Sequence, residues 1–235
     1  MYKLMMRSLT AESVMAAVPA SYLGVWKRSL LTTGSGHRDT TTLVLWLQTQ
    51  SLFADLRIPV PVPAEGSRSL QECSEQQLLQ LAQQQGFAGV DDPSGENRYH
   101  EDWHRLEGST GNIWGHRLEA VDQPSRKGFL LGAGEYFLFA ADRQVDLPPK
   151  DDLQLHLKSA KSVEQQQALL GLQLSFGRIR KQGQDPAWCI AHSTVPGCVG
   201  KALLPSSITV EDLDRSIALE MGILCPQGGW KLLPA

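Results

Sequence analysis

"TTTLVLWLQTQSLFADLRIP", from Thr40 to Pro59, holds two alternating segments back to back. In the first, Leu43, Leu45 and Leu47 interleave with Val44, Trp46, Gln48 and Gln50. In the second, Leu52, Ala54, Leu56 and Ile58 interleave with Phe53, Asp55 and Arg57. Side chains on a β-strand point to opposite faces with period two, so each segment reads as a strand with one aliphatic face. A half-buried strand couples such a face to a plainly polar one. Here the other face mixes aromatic, amide and charged groups. Which of the two points inward decides where a ligand can lie.

The same reading extends along the chain. Further strands are predicted near 22–33, 39–50, 86–91, 97–106, 112–121, 127–131, 135–142, 168–180 and 187–194. Between them lie turn-forming clusters, among them "GSG" at Gly34, "DDPSG" at Asp91, "EGSTG" at Glu107, "DQPS" at Asp122 and "KQGQDP" at Lys181. About ten strands with short breaks predict an all-β, mainly antiparallel fold. Two short peripheral helices are expected. One starts at Ser74, with Gln77 as capping-box partner, and stops by Gly86. The other runs from Thr209 to Gly222, with Leu213, Ile217 and Met221 on one side.

The domain plan is an N-terminal extension over 1–21, a β domain over 22–200 and a C-terminal helix and tail over 201–235. A split into two sub-barrels would fall near 144–166, the least readable stretch. Lys3 and Arg7 precede "SLTAESVMAAVPA", but Glu12 and the hydroxyl residues interrupt what a signal peptide would keep apolar. The 22 basic and 25 acidic residues nearly balance and form no basic track, so no nucleic-acid partner is expected. No apolar run approaches the roughly 18 residues of a membrane span. Cys73, Cys189, Cys198 and Cys225 show no metal-binding spacing and suit free thiols, which makes the cytoplasm the expected compartment.

"YLGVWKR" at 22–28 puts a Gly-x-Trp on the first strand, and resembles the opening strand of the calycin superfamily of lipocalins, fatty-acid-binding proteins and nitrobindins. "DTTTLVLWLQT", "ADLRIP", "QQGFAG" and "EDWHRL" are similar to segments of a group of uncharacterised bacterial and fungal proteins with lipocalin-like barrels. The similarity spans roughly residues 22–195. It implies a calycin-like barrel, and an arginine near the last barrel strand lying against Trp26. Arg178 and Arg180 are the candidates for that arginine. It implies no activity.

On the barrel reading the mixed face lines the interior, and the leucine face needs a cover: helices, a second β layer or a partner subunit. The opposite reading puts the leucines in a dry core. The first is preferred because two adjacent strands share the mixed pattern. The expected ligand-binding set is Trp46, Gln48, Asp55, Arg57, Glu101, Trp103, Arg105 and Arg117. Glu101 and Arg117 would pair across a hairpin turning at "EGSTG", and the arginines would fix an anionic head group. The other face of that hairpin, with His100, Asp102, His104 and His116, offers a metal site as the lesser alternative.

No GxSxG, HExxH, Walker loop or helix-leading GxGxxG is present. The expected function is therefore non-catalytic binding of a small, partly apolar, anionic molecule, with no cofactor. The alternatives are an enzyme using a cavity carboxylate (Asp55, Glu101 or Glu119) or the histidine metal site, and an interaction module. A homodimer through Leu43, Leu45 and Leu47 belongs to the last.

Overall fold

The opening stretch forms a hairpin because Thr49 closes it. Its N–H and hydroxyl both donate to the Leu52 carbonyl, at 2.8 and 2.9 Å, and its hydroxyl accepts from the Leu52 N–H at 2.9 Å. This sets the register Leu47 opposite Ala54 and Trp46 opposite Asp55. The structure is a computed structural model. It describes residues 18–59, 73–90, 100–141, 153–162, 165, 168–170, 173–180, 187–195, 197–213, 219–220 and 229–233. Residues 1–17 of the expected extension, 144–152, 163, 164 and 166 of the unreadable stretch, 214–218 and 221–222 of the second expected helix (Ile217 and Met221 among them) and Cys225 lie outside that set.

The strands are β1 (Gly24–Thr32), β2 (Arg38–Asp39), β3 (Leu43–Gln48), β4 (Leu52–Ile58), β5 (Gln85–Val90), β6 (His100–Arg105) and β7 (Ile113–Ala120). They continue as β8 (Lys127–Ala133), β9 (Tyr136–Ala141), β10 (Gln173–Ile179), β11 (Trp188–Ser193), β12 (Leu219–Glu220) and β13 (Gly229–Leu232). Helices α1 (Glu75–Leu81), α2 (Leu153–Ser159) and α3 (Val210–Leu213) are short. The fold is mostly antiparallel β in two sheets. The first has the order β2-β1-β3-β4-β5, with β6 on the other edge of β1, and the second the order β11-β10-β9-β8-β7-β13-β12.

The two sheets face each other through the leucines. Leu45, Leu47, Ala54, Leu56 and Ile58 pack with Phe129, Leu131, Leu138, Leu174 and Phe176 in one buried cluster. Gly86 on β5 is part of that fit: a Cβ there would press into the Leu174 side chain. The far face of the second sheet builds another apolar core, in which Leu130, Phe137, Phe139, Trp188 and Trp230 are covered by Leu203, Leu204 and Leu213. The second sheet is therefore apolar on both faces, as strands buried on both sides must be.

The predicted strands are found, with three corrections. The "EGSTG" segment does not join a hairpin: β6 pairs with β1, whereas β7 pairs with β8 and β13. The chain thus changes sheets at 106–112, and α2 lies within the 144–166 stretch. The C-terminal region is not only a helix and tail, since its described residues include α3, β12 and β13. The leucines cover the second sheet, so they are not free to form a homodimer. Helix α1 keeps its expected start, with the Ser74 hydroxyl accepting from the Gln77 N–H and the Gln77 side chain accepting from the Ser74 N–H. Among the described residues no helix is long and apolar enough to cross a membrane.

Leu47 is fully buried between the sheets. Leu47→Ala is expected to cost about 3 kcal/mol, the transfer term plus an unfilled cavity, measured by denaturant unfolding of the purified variant.

Candidate functional site

The leucine face is settled against the second sheet, so period two sends Trp46, Gln48, Asp55 and Arg57 to its opposite side. That side is not a solvated surface. Val44 and Asp55 on it are both 0 % exposed, and Arg28 and Gln48 are buried. Both faces of the first sheet are therefore largely removed from water.

The mixed face is drawn together from six strands. Trp46 stacks on Phe53 (4.9 Å between centroids, 12° between planes) and meets Trp103 edge-on at 6.5 Å. Trp46 is on β3 and Trp103 on β6, which flank β1; two strand spacings would part their backbones by about 10 Å. A register shift between Arg28 and Leu30, where β1 meets β6, supplies a bend of the kind a bulge imposes. The Trp46 Nε1 donates to Gln48 at 3.0 Å, and the Gln48 amide donates on to the Thr49 carbonyl at 2.9 Å. The three rings remain only half-buried.

The charges on this face are matched internally. Arg57 donates to both Asp55 oxygens, with its closest contact at 2.8 Å, and lies over the Phe87 ring at 5.3 Å. Burial pushes the Asp55 carboxyl up from its ordinary value; the Arg57 hydrogen bonds and charge oppose this, while Glu101 adds to it. Arg28 reaches two carboxylates, Asp39 at 2.7 Å and Glu101 at 3.2 Å, and Trp103 Nε1 donates to the second Glu101 oxygen at 3.2 Å. Burial works against the Asp39 charge, but donors of Thr42 and Thr41 outweigh it and hold that carboxyl well below the usual range.

At one end of the face Arg105 lies over the Trp26 ring, 4.7 Å from its centroid, and donates to the Ser21 carbonyl. Trp26 Nε1 donates to the Tyr22 carbonyl at 2.7 Å. Gly24 begins this strand at φ +121°, and a Cβ there would press on Ser109 at 3.2 Å, so the position suits glycine. The arginine against Trp26 is thus Arg105 on β6, and not Arg178 or Arg180 near the last strand. Arg178 instead lies over Tyr136 and donates to its hydroxyl at 2.8 Å, and Arg180 donates to Cys189.

Seven of the eight expected ligand-binding residues share this face: Trp46, Gln48, Asp55, Arg57, Glu101, Trp103 and Arg105. Arg117 does not. It stands exposed on β7 of the other sheet, so the Glu101–Arg117 pair is not made, and Glu101 pairs with Arg28. The histidine cluster is not assembled for the same reason. His100, Asp102 and His104 are exposed on β6, with a His100–Asp102 contact of 3.1 Å, while His116 is on β7 beside Trp114. No group of three metal-ligating side chains occurs among the described residues. The carboxylates named as bases are engaged: Asp55 by Arg57, Glu101 by Arg28 and Trp103, and Glu119 by Lys127 and Lys231. Arg28 and Phe87 were missed as members of the face, and Phe53, assigned to it by period two, was left out of the binding set. Period two from Trp26 carries the signal for Arg28, and β5 pairing carries it for Phe87.

No protein-family model matches the chain, and no curated protein matches it significantly. Among solved structures it is similar to the crystal structure of the uncharacterised protein YLR301w from Saccharomyces cerevisiae. The identity is 13 %, the TM-score 0.45, and the match covers 90 % of this chain and 98 % of the yeast one.

The Asp55–Arg57 pair makes a signed prediction. Arg57→Leu leaves a buried carboxylate without its main partner and is expected to cost about 2 kcal/mol at neutral pH, less than a fully buried pair because Arg57 is partly accessible. Without Arg57 the folded-state pKa of Asp55 rises further above its unfolded value. The cost is therefore present above that raised pKa and shrinks as the pH falls toward the ordinary carboxylate range. Denaturant unfolding of the variant from pH 4 to 8 should show this narrowing, and Asp55→Leu in the same chain should restore much of the stability.

Proposed function

We propose that the protein is a non-catalytic binder of a small, partly apolar molecule, held against the mixed face of the six-stranded sheet. On this reading that sheet is the wall of a calycin-like barrel. The observation that carries the proposal is the state of Trp46, Phe53 and Trp103, which are in contact and half accessible. They are surrounded by fully or nearly fully buried neighbours, Val44, Gln48 and Asp55. Small-molecule sites are mostly aromatic and apolar, with a few fixed polar groups between. Aromatic surface of this kind is stabilised by whatever removes it from water.

Two further features support the barrel. An arginine does lie against Trp26, as the resemblance to calycins implies, although it is Arg105 from β6 and not one near the last strand. The second sheet covers the leucine face, which removes the objection that a barrel would expose it. The pairing of every carboxylate on the mixed face with an arginine favours binding over catalysis, since a general base must be free to take a proton from a substrate.

The test is a fluorescence titration with N-phenyl-1-naphthylamine, a flat uncharged probe, read both by probe emission and by tryptophan quenching. One equivalent is expected to bind the native protein. Trp46→Ala and Trp103→Ala should each weaken it about tenfold, the loss of roughly one aromatic contact. Unchanged binding in both variants would place the probe elsewhere and defeat the proposal. Native mass spectrometry of the purified protein is the companion experiment, in which a co-purified small molecule is the expected result.

A further inference from the structure

We infer that the occupant of the mixed face is an uncharged, flat aromatic molecule, and that the face selects against anions. This rests on the binding reading above and concerns the class of ligand taken at the same site. An anionic ligand was the natural expectation from a face bearing several arginines, but the geometry withdraws each arginine from that task.

Arg57 donates three hydrogen bonds to the Asp55 carboxylate, and both oxygens are used. Arg28 is buried between Asp39 and Glu101. Among the described residues Arg105 has no carboxylate partner and its buried Nε makes no hydrogen bond, while its outer nitrogen donates to the Ser21 carbonyl and its plane lies on the Trp26 ring. An incoming anion would have to displace an existing partner from one of these arginines or lie on the face unpaired. Displacing a partner of Arg28 or Arg57 leaves a carboxylate without compensation, displacing the Ser21 carbonyl costs Arg105 its hydrogen bond, and an unpaired anion bears its own desolvation.

The charges also balance in number. Arg28, Arg57 and Arg105 stand against Asp39, Asp55 and Glu101, so the described residues of the face carry no net charge toward an occupant. Glu101 already disfavours the Asp55 charge, which shows that carboxylates on different strands act on one another here. An added anion would enter the same crowded field.

The shape argument points the same way. Trp46 and Phe53 are nearly parallel, and Trp103 stands at 80° to Trp46. The Trp46 indole N–H and the Gln48 amide are satisfied by each other and by the Thr49 carbonyl. What the accessible part of the site offers is ring surface, for which a flat apolar molecule is the matching partner.

The experiment compares two probes with the same ring system, N-phenyl-1-naphthylamine and its sulfonate 1-anilinonaphthalene-8-sulfonate, on the native chain and on Glu101→Gln. The substitution removes one carboxylate from a partly accessible position and keeps an oxygen for Trp103 Nε1. The uncharged probe should bind the native protein at least about tenfold more tightly than the sulfonate. In Glu101→Gln the sulfonate should gain roughly threefold or more relative to the uncharged probe, because Arg28 is no longer fully neutralised. Equal or tighter binding of the sulfonate to the native protein overturns the inference, as does a gap that Glu101→Gln leaves untouched. If that sulfonate binding is lost in Trp103→Ala, the site stands and only its charge selectivity is wrong. If neither probe responds to Trp103→Ala, the binding reading falls and the inference falls with it.

Discussion

The burial of the first sheet on both faces is the constraint from which the rest follows. Leu45, Leu47, Leu56 and Ile58 are removed from water by the second sheet. Once that contact is made, alternation leaves no choice for the residues between them. Asp55, Arg57, Trp46 and Gln48 must share the other face, and Asp55 is carried to full burial with it. A buried carboxylate is tolerated only if it is paired, and Arg57, two residues along the same strand, is on the same side to do it. The sheet-to-sheet contact thus sets the electrostatics of the face that is turned away from it.

The same logic accounts for Arg28. It sits two residues after Trp26, so it projects onto the mixed face near the middle of β1, where water is scarce. It is matched there by carboxylates from two different strands, Asp39 on β2 and Glu101 on β6. Its two ion pairs join the edge strands to the centre of the sheet. The mixed face has consequently used its charges for its own cohesion, and the half-accessible tryptophans are what remains for another molecule. Trp26 and Arg105 close one end, held to the preceding turn through the Tyr22 and Ser21 carbonyls.

The second sheet shows what the alternative looks like. Its far face is filled by large apolar side chains and closed by the chain's own Leu203, Leu204 and Leu213. Cys198 belongs to this interior, and burial pushes its thiol up to about 11, which removes it from thiolate chemistry at neutral pH. The two sheets therefore differ in kind: one has a filled aliphatic and aromatic interior, the other a polar aromatic face with accessible rings.

Much of this was legible in the sequence because it is local. Strand positions, the two-faced character of Leu43–Gln48 and Leu52–Ile58, and the Ser74–Gln77 cap depend on neighbours within a few residues. Seven of the eight residues assigned to the site share a face for the same reason, since period two needs no tertiary information. Arg117, the histidine cluster and the arginine over Trp26 were misplaced because they depend on pairing between distant strands. A turn such as "EGSTG" fixes a break in the chain, but whether the chain reverses onto the strand just made or crosses to another sheet is settled by which partner buries more apolar surface. β6 is held on β1, with Trp103 beside Trp46, and β7 is held by β8 and the returning β13. The sequence by itself determined the strands and the two faces of each. Only the tertiary structure decided which strands are neighbours and that the second sheet covers the leucines, because those outcomes depend on contacts between residues far apart in the chain.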